Sequence, residues 1–262
     1  LYDYARRPTL VAVATIWLLG VSPLLLWLVL QGLPLPPPLA QALVLAAASS
    51  PVTMCATVSL IVGLDAALAV VVVVVTTALV PLTLPMLSLS LLGMNVDIGL
   101  GTFMARLSWL IGIPFGVALV ARRFAGPEWI ARNARPLDAI AVISLVTFAI
   151  AIMDGITAAF FVRPGVVVGT LVAVFATNLA LQLAGTLAFR RLGARSALTM
   201  GLMTGNCNLG IILVALADKA SFDIVMVLAL GQIPMYILPA LLSPLYRHAV
   251  RTEPASRDLE GG

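Results

Sequence analysis

The chain alternates long apolar runs with short polar joints. Eight apolar segments can be traced, at about 10–30, 39–63, 66–91, 99–120, 137–161, 165–189, 199–218 and 222–246. At about 1.5 Å per residue, runs of this length cross a hydrocarbon layer of about 30 Å, so each is expected to be a membrane helix. The first ends at Leu-Pro-Leu-Pro-Pro-Pro, a rigid turn. Asp65 stands where an N-cap of the third would stand. Pro81 and Pro85 predict a bend in that helix, and Gly93-Met94-Asn95 a loop after it.

Two of the eight runs are interrupted. The stretch Thr199 to Asp218 carries Thr204-Gly205-Asn206-Cys207-Asn208 at its middle, where lipid-depth residues are expected. An unsatisfied polar group at that depth costs several kcal/mol, so such a patch must face protein or a wet cavity. Gly201 and Gly205 form a GxxxG pair, and one reading is a close helix contact glued by small and polar residues. The other is a discontinuous helix lining a binding site. In the second run, residues 43–65, Pro51 follows Ser49-Ser50 and removes a backbone donor. Thr53, Cys55, Thr57 and Ser59 come next. Paired interruptions in the two halves of a membrane chain point to a transporter's site.

Composition agrees. The 262 residues are 61% hydrophobic and 10% charged, with mean hydropathy +1.12, which excludes an ordinary soluble domain. The net charge of +4 is spread over the joints rather than gathered in a patch, so nucleic acid is not an expected partner; the lipid bilayer is. With the N-terminus on side one, that side receives Arg6, Arg7, Arg122, Arg123, Arg132, Arg135, Arg190, Arg191, Arg195, Arg247, Arg251 and Arg257. Side two receives only Arg106, Arg163 and Lys219. This split predicts an even number of crossings and both visible ends in the cytoplasm. The chain starts on Leu and enters an apolar run almost at once, which reads as a chain lacking upstream helices. Nothing in the sequence sets an oligomeric state.

A few polar side chains remain inside the runs. Asp154 is read either as a cavity-facing proton or cation site or as a carboxylate near the surface, close to Arg163. Asn178 and Gln182 share one helical face and suit hydrogen bonding to a neighbouring broken helix. Gln232 and Pro234 interrupt the last run and are expected at the same cavity; Trp27 and Trp129 suit interface anchors. The candidate substrate- or ion-binding residues are Ser50, Thr53, Cys55, Thr57, Asp154, Asn178, Thr204, Asn206, Cys207, Asn208 and Gln232. Cys55 and Cys207 are expected beside the breaks and reduced, or are ordinary buried thiols. Neither has a neighbouring His, the single His248 lies in the expected cytoplasmic tail, and no HExxH or paired-carboxylate pattern occurs. The reading is therefore not an enzyme, with no cofactor and no metal site; a sodium ion or a proton is the candidate coupling ion.

At the two interrupted runs the chain resembles the bile acid:sodium symporter family. Thr204-Gly205-Asn206-Cys207-Asn208-Leu209-Gly210 is similar to its E-V-G-M-Q-N-S-G-L element, and residues 43–65 to its first broken helix, where a Pro precedes T-A-S-N. Thr177-Asn178 resembles its His-Asn pair, and Arg7-Pro8 with Pro23 the helix before the first crossover. The resemblance implies an all-α polytopic fold of ten helices in two inverted repeats. This chain would supply eight transmembrane segments, two of them broken and crossing. It implies a core of 8–91 and 165–246, with broken helices at 39–63 and 196–217, a panel remnant at 99–161, and a disordered cytoplasmic tail at 247–262. Where sodium-using members carry Ser-Asn, this chain has Ala56-Thr57; other family ligand positions fall at Leu18, Ala69, Val73 and Met203.

The expected function is a secondary active transporter of a bacterial inner membrane. It would carry a small organic, anionic solute by alternating access, with weak or absent sodium coupling. The anion is expected because half-helix N-termini facing a cavity present N–H groups and positive dipole ends. The alternative is a non-transporting sensor or subunit that keeps the fold.

Overall fold

The computed structural model describes residues 8–92, 99–153, 155–216 and 219–252. Asp154, the loop expected at 93–95 and the tail from 253 on lie outside them. Among the described residues the only strand-like feature is an isolated bridge between Pro51 and Cys207. All else is helix and connection.

The helices are α1 (Pro8–Ile16), α2 (Ser22–Gln31), α3 (Pro37–Ala47), α4 (Met54–Val62), α5 (Ala66–Leu92), α6 (Leu100–Arg132), α7 (Ala134–Ile152), α8 (Ile156–Val162), α9 (Pro164–Ala188), α10 (Ala194–Gly205), α11 (Leu209–Leu216), α12 (Phe222–Leu230) and α13 (Gln232–Arg251). A π-turn at Trp17–Val21 joins α1 to α2. It lies just before Pro23, whose ring presses on the preceding turn and which has no N–H to give. Six stretches are long and apolar enough to cross a membrane: Pro8–Gln31, Ala66–Leu91, Leu100–Gly126, Ala134–Val162, Pro164–Ala188 and Phe222–Arg251. The protein is therefore a multi-pass membrane protein. The two interrupted runs become the short-helix pairs α3–α4 and α10–α11.

Several boundaries differ from expectation. The fourth segment does not stop at 120. α6 runs on through Arg122 and Arg123 to Arg132, turning at Gly126, whose φ of 79° suits glycine. Hydropathy marks that joint as polar, yet its Ala, Arg and Glu residues are good helix formers. The fifth segment is two helices: α7 ends at Ile152 and α8 begins at Ile156 after Gly155, whose φ is 74°. The last span is divided at Gly231, and α13 carries the helix to Arg251, into the stretch expected as a tail. α5 passes through Pro81 and Pro85 as one helix. Asp65 caps it as expected, its Oδ1 accepting from Leu68 N at 3.0 Å.

Two apolar cores stack along the bundle. One joins Leu26 and Leu30 of α2, Ala42–Ala48 at the end of α3, Leu209–Leu216 of α11 and Ile224–Leu228 of α12. The other joins Leu18, Cys55 and Val62 of α4, Leu68–Val73 of α5, Met200–Met203 of α10 and Tyr246 of α13. Beyond Leu107, α6 and α7 expose most of their apolar side chains, Ile113, Val117, Val142 and Ile143 among them, as a lipid-facing pair would.

The closest helix pair is α9 with α10. α9 buries a stripe spaced by three and four residues, Val167, Thr170, Val174, Asn178, Leu181, Gln182 and Gly185. Glycines let the backbones touch: a Cβ on Gly185 would stand 2.9 Å from Met200 O, on Gly201 2.6 Å from Gln182 O, and on Gly205 2.7 Å from Asn178 O. The GxxxG contact is thus real, and the helix nevertheless ends at Gly205. The close contact and the break thus occur in one segment.

This contact gives a test. Gly201→Val forces the pair apart and should cost about 1–3 kcal/mol, read as a lower melting temperature of the detergent-purified protein. Gly169→Ala, also on α9 but with nothing within 4 Å of the new Cβ, should leave the melt unchanged. Equal melts for the two variants would contradict the contact.

Candidate functional site

A break inside a membrane bundle strands backbone donors and acceptors that water cannot reach. Here the two breaks satisfy each other. Val52 N donates to Asn206 O at 2.9 Å and Asn208 N donates to Ser50 O at 2.8 Å, an antiparallel pairing around Pro51 and Cys207. Ser49 Oγ donates to Asn208 O at 3.0 Å. Pro51 has no N–H, so its place in this pairing leaves no donor unmet.

Side chains add further bonds around the breaks. Asn178 Nδ2, from α9, donates to Gly205 O at 2.8 Å and to Asn206 Oδ1 at 3.4 Å. Asn206 Nδ2 turns back to Leu202 O at 2.8 Å. Asn208 Oδ1 accepts from Ile211 N at 3.4 Å and so caps α11. Thr204 Oγ1 donates to Met200 O at 2.6 Å. The polar layer lies between the two apolar cores, where its hydrogen bonds are little screened.

Two further side chains reach this layer from far along the chain. Trp17 Nε1, in the π-turn, donates to Thr204 Oγ1 at 3.0 Å. Tyr246 of α13 donates to Gln182 Oε1 at 2.6 Å, Gln182 Nε2 donates to Asn178 Oδ1 at 2.7 Å, and Asn178 donates onward to the break. Every donor in this relay points the same way, toward the crossover. Sequence reading missed Trp17 and Tyr246 as site residues. Asn178 and Gln182 were legible from their spacing; their distant partners were not.

The sequence candidates therefore divide. Ser50, Cys55, Asn178, Thr204, Asn206, Cys207 and Asn208 meet at the crossover. Thr53, just before α4, and Thr57, within it, are exposed. Gln232 is buried at the start of α13, and its Nε2, like Ser50 Oγ, has no hydrogen-bond partner among the described residues. Arg163 pairs with Asp223 at 3.1 Å. Trp27 is half-buried and Trp129 exposed. No cluster able to hold a metal occurs among the described residues.

A cavity of about 40 Å³ borders the crossover, lined by Ala47, Thr177, Asn178, Gly205, Cys207 and Gly231 among others. It has room for a few waters. Gly231 is there for close approach: a Cβ on it would stand 2.8 Å from Leu209 Cδ1.

Comparison with known families gives a match. The model of the sodium bile acid symporter family fits residues 1–162, which include the first break and α1 through α8. No curated protein matches the chain.

Two predictions follow from the geometry. Tyr246→Phe leaves Gln182 Oε1 without its donor inside the bundle and should cost about 1–3 kcal/mol, visible as a lower melt in detergent; an unchanged melt would mean that the relay carries no stability. The cysteines, both free and buried, should differ. Cys207 lines the cavity and Cys55 does not, so a small thiol reagent should modify Cys207 slowly and leave Cys55 intact. Preferential labelling of Cys55, read by peptide mass mapping, would contradict the placement.

Proposed function

This chain belongs to the sodium bile acid symporter family, and on that footing we propose that it is a secondary active transporter of a small organic anion, working by alternating access. Eight crossings are proposed: the six long apolar stretches and the two broken segments. The observation that carries the reading is the mutual pairing of the breaks, Val52 N to Asn206 O and Asn208 N to Ser50 O. It brings the N-termini of α4 and α11 together between two apolar cores. Such ends offer N–H groups and positive dipole to an anionic group.

The cavity of about 40 Å³ is well below the roughly 300 Å³ of an organic-ligand pocket. The described conformation is therefore read as a closed one, and solute entry requires the helices around the crossover to part. The two stacked cores supply the natural gates, one on each side of the polar layer.

Sodium coupling is proposed to be weak or absent. A sodium ion needs several oxygens in place of its water. The positions that resemble the family's ligand sites, Leu18, Ala69, Val73 and Met203, are 2%, 0%, 4% and 0% exposed and belong to one apolar cluster. If an ion is coupled, the reading assigns a proton on Asp154. An inner-membrane setting with cytoplasmic ends is proposed from the arginine split.

Counterflow in proteoliposomes preloaded with a panel of small organic anions tests transport; exchange of none of them, by protein that still melts cooperatively, favours the sensor or subunit reading. With a transported anion in hand, uptake should be unchanged by a sodium gradient, should respond to a pH gradient, and should lose that response in Asp154→Asn. Steep sodium dependence that survives Asp154→Asn would overturn the coupling assignment.

A further inference from the structure

A second, larger cavity opens away from the crossover, between α1 and the end of α9, with a volume of about 660 Å³. That is within the range of small-molecule pockets, about 300–1,000 Å³. Its walls are Leu10, Val13, Ile16, Val21, Phe189 and Leu192. Val13 and Ile16 are 55% and 61% exposed, so the groove is open sideways along an apolar helix face. In a membrane protein that side meets hydrocarbon. Among its lining residues, the polar ones besides Trp17 are Thr9 and the exposed Arg191. Arg191 lies in the short turn Arg190–Leu192, on the arginine-rich side of the chain. Its guanidinium matches a phosphate in a two-pronged fork.

We propose that this groove holds an anionic phospholipid, with its phosphate on Arg191 and an acyl chain along α1. The charge selects the headgroup, and the lateral opening onto an apolar surface selects a lipid over a water-borne anion. The groove also has a connection inward. Trp17 forms part of its wall, packs edge-on to Phe189 with ring centroids 5.9 Å apart, and donates to Thr204 at 3.0 Å. A lipid in the groove therefore touches the side chain that holds the end of α10 at the crossover, and braces that half-helix through it. The inference needs the membrane setting and not the transport reading, and its test reads lipid binding alone.

Trp17 can report its own occupant. In a variant with Trp27→Phe, Trp109→Phe and Trp129→Phe, reconstituted in phosphatidylcholine vesicles, fluorescence is titrated with brominated phosphatidylglycerol or brominated phosphatidylcholine. The anionic lipid should quench at about fivefold lower mole fraction, the effect of about one arginine–lipid attraction, and Arg191→Gln should remove the preference. Equal quenching by the two lipids, or a preference that survives Arg191→Gln, overturns the proposal. If the triple replacement does not fold, native mass spectrometry of the protein with its own tryptophans decides: it should retain phosphatidylglycerol that the Arg191→Gln protein loses, and equal retention overturns the proposal.

Discussion

The structure depends on one constraint: backbone groups freed at a break inside a membrane must find partners within the protein. The chain meets it by breaking two segments and setting the breaks side by side, Ser50 to Val52 against Asn206 to Asn208. Neither break is tolerable alone. Pro51 at one removes a donor, Gly205 and Asn206 at the other end a helix, and the two defects fit as a short antiparallel pair. Once these strands are fixed, four half-helices have their directions set. α3 and α11 lie on one side of the pairing, α4 and α10 on the other, each packed into its own apolar core.

The close approach of α9 to α10 follows from the same need. Asn178 must stand near enough to bond Gly205 O, and that distance is reached only because Gly185, Gly201 and Gly205 carry no side chain. Asn178 in turn needs a partner for its own oxygen, which Gln182 supplies, and Gln182 needs Tyr246. A buried polar group thus recruits others until the chain of donors ends at a hydroxyl. Partly satisfied, such a network would be worse than an apolar core; complete, it fixes one arrangement. It also ties α13, through Gln182 and Asn178, to the breaks.

The family relationship and the apolar cluster at Leu18, Ala69, Val73 and Met203 bear on each other. At these four positions, which resemble the family's ligand sites, the side chains are apolar and buried together and offer no oxygen. Thr53 and Thr57, which read as site residues beside a break, present outward instead. On α4, Cys55 and Ser59, four apart, take the inward face, and residues two positions away point elsewhere.

The sequence by itself determined the membrane class, the position of both breaks and the cap at Asp65. Each is a local signal: a polar or proline residue in an apolar run, or a carboxylate just before one. It also placed Asn178 and Gln182 on one face, because helical spacing is a local property. It did not determine the helical course of α6 through its arginine-bearing joint, since hydropathy reports polarity and not backbone state. Nor did it determine which way α4 turns its threonines, or that Trp17 and Tyr246 end at the crossover. Those bonds join residues 187 and 64 positions apart. Only the tertiary structure decided them, because which side chain meets a stranded polar group depends on which helices pack against the break.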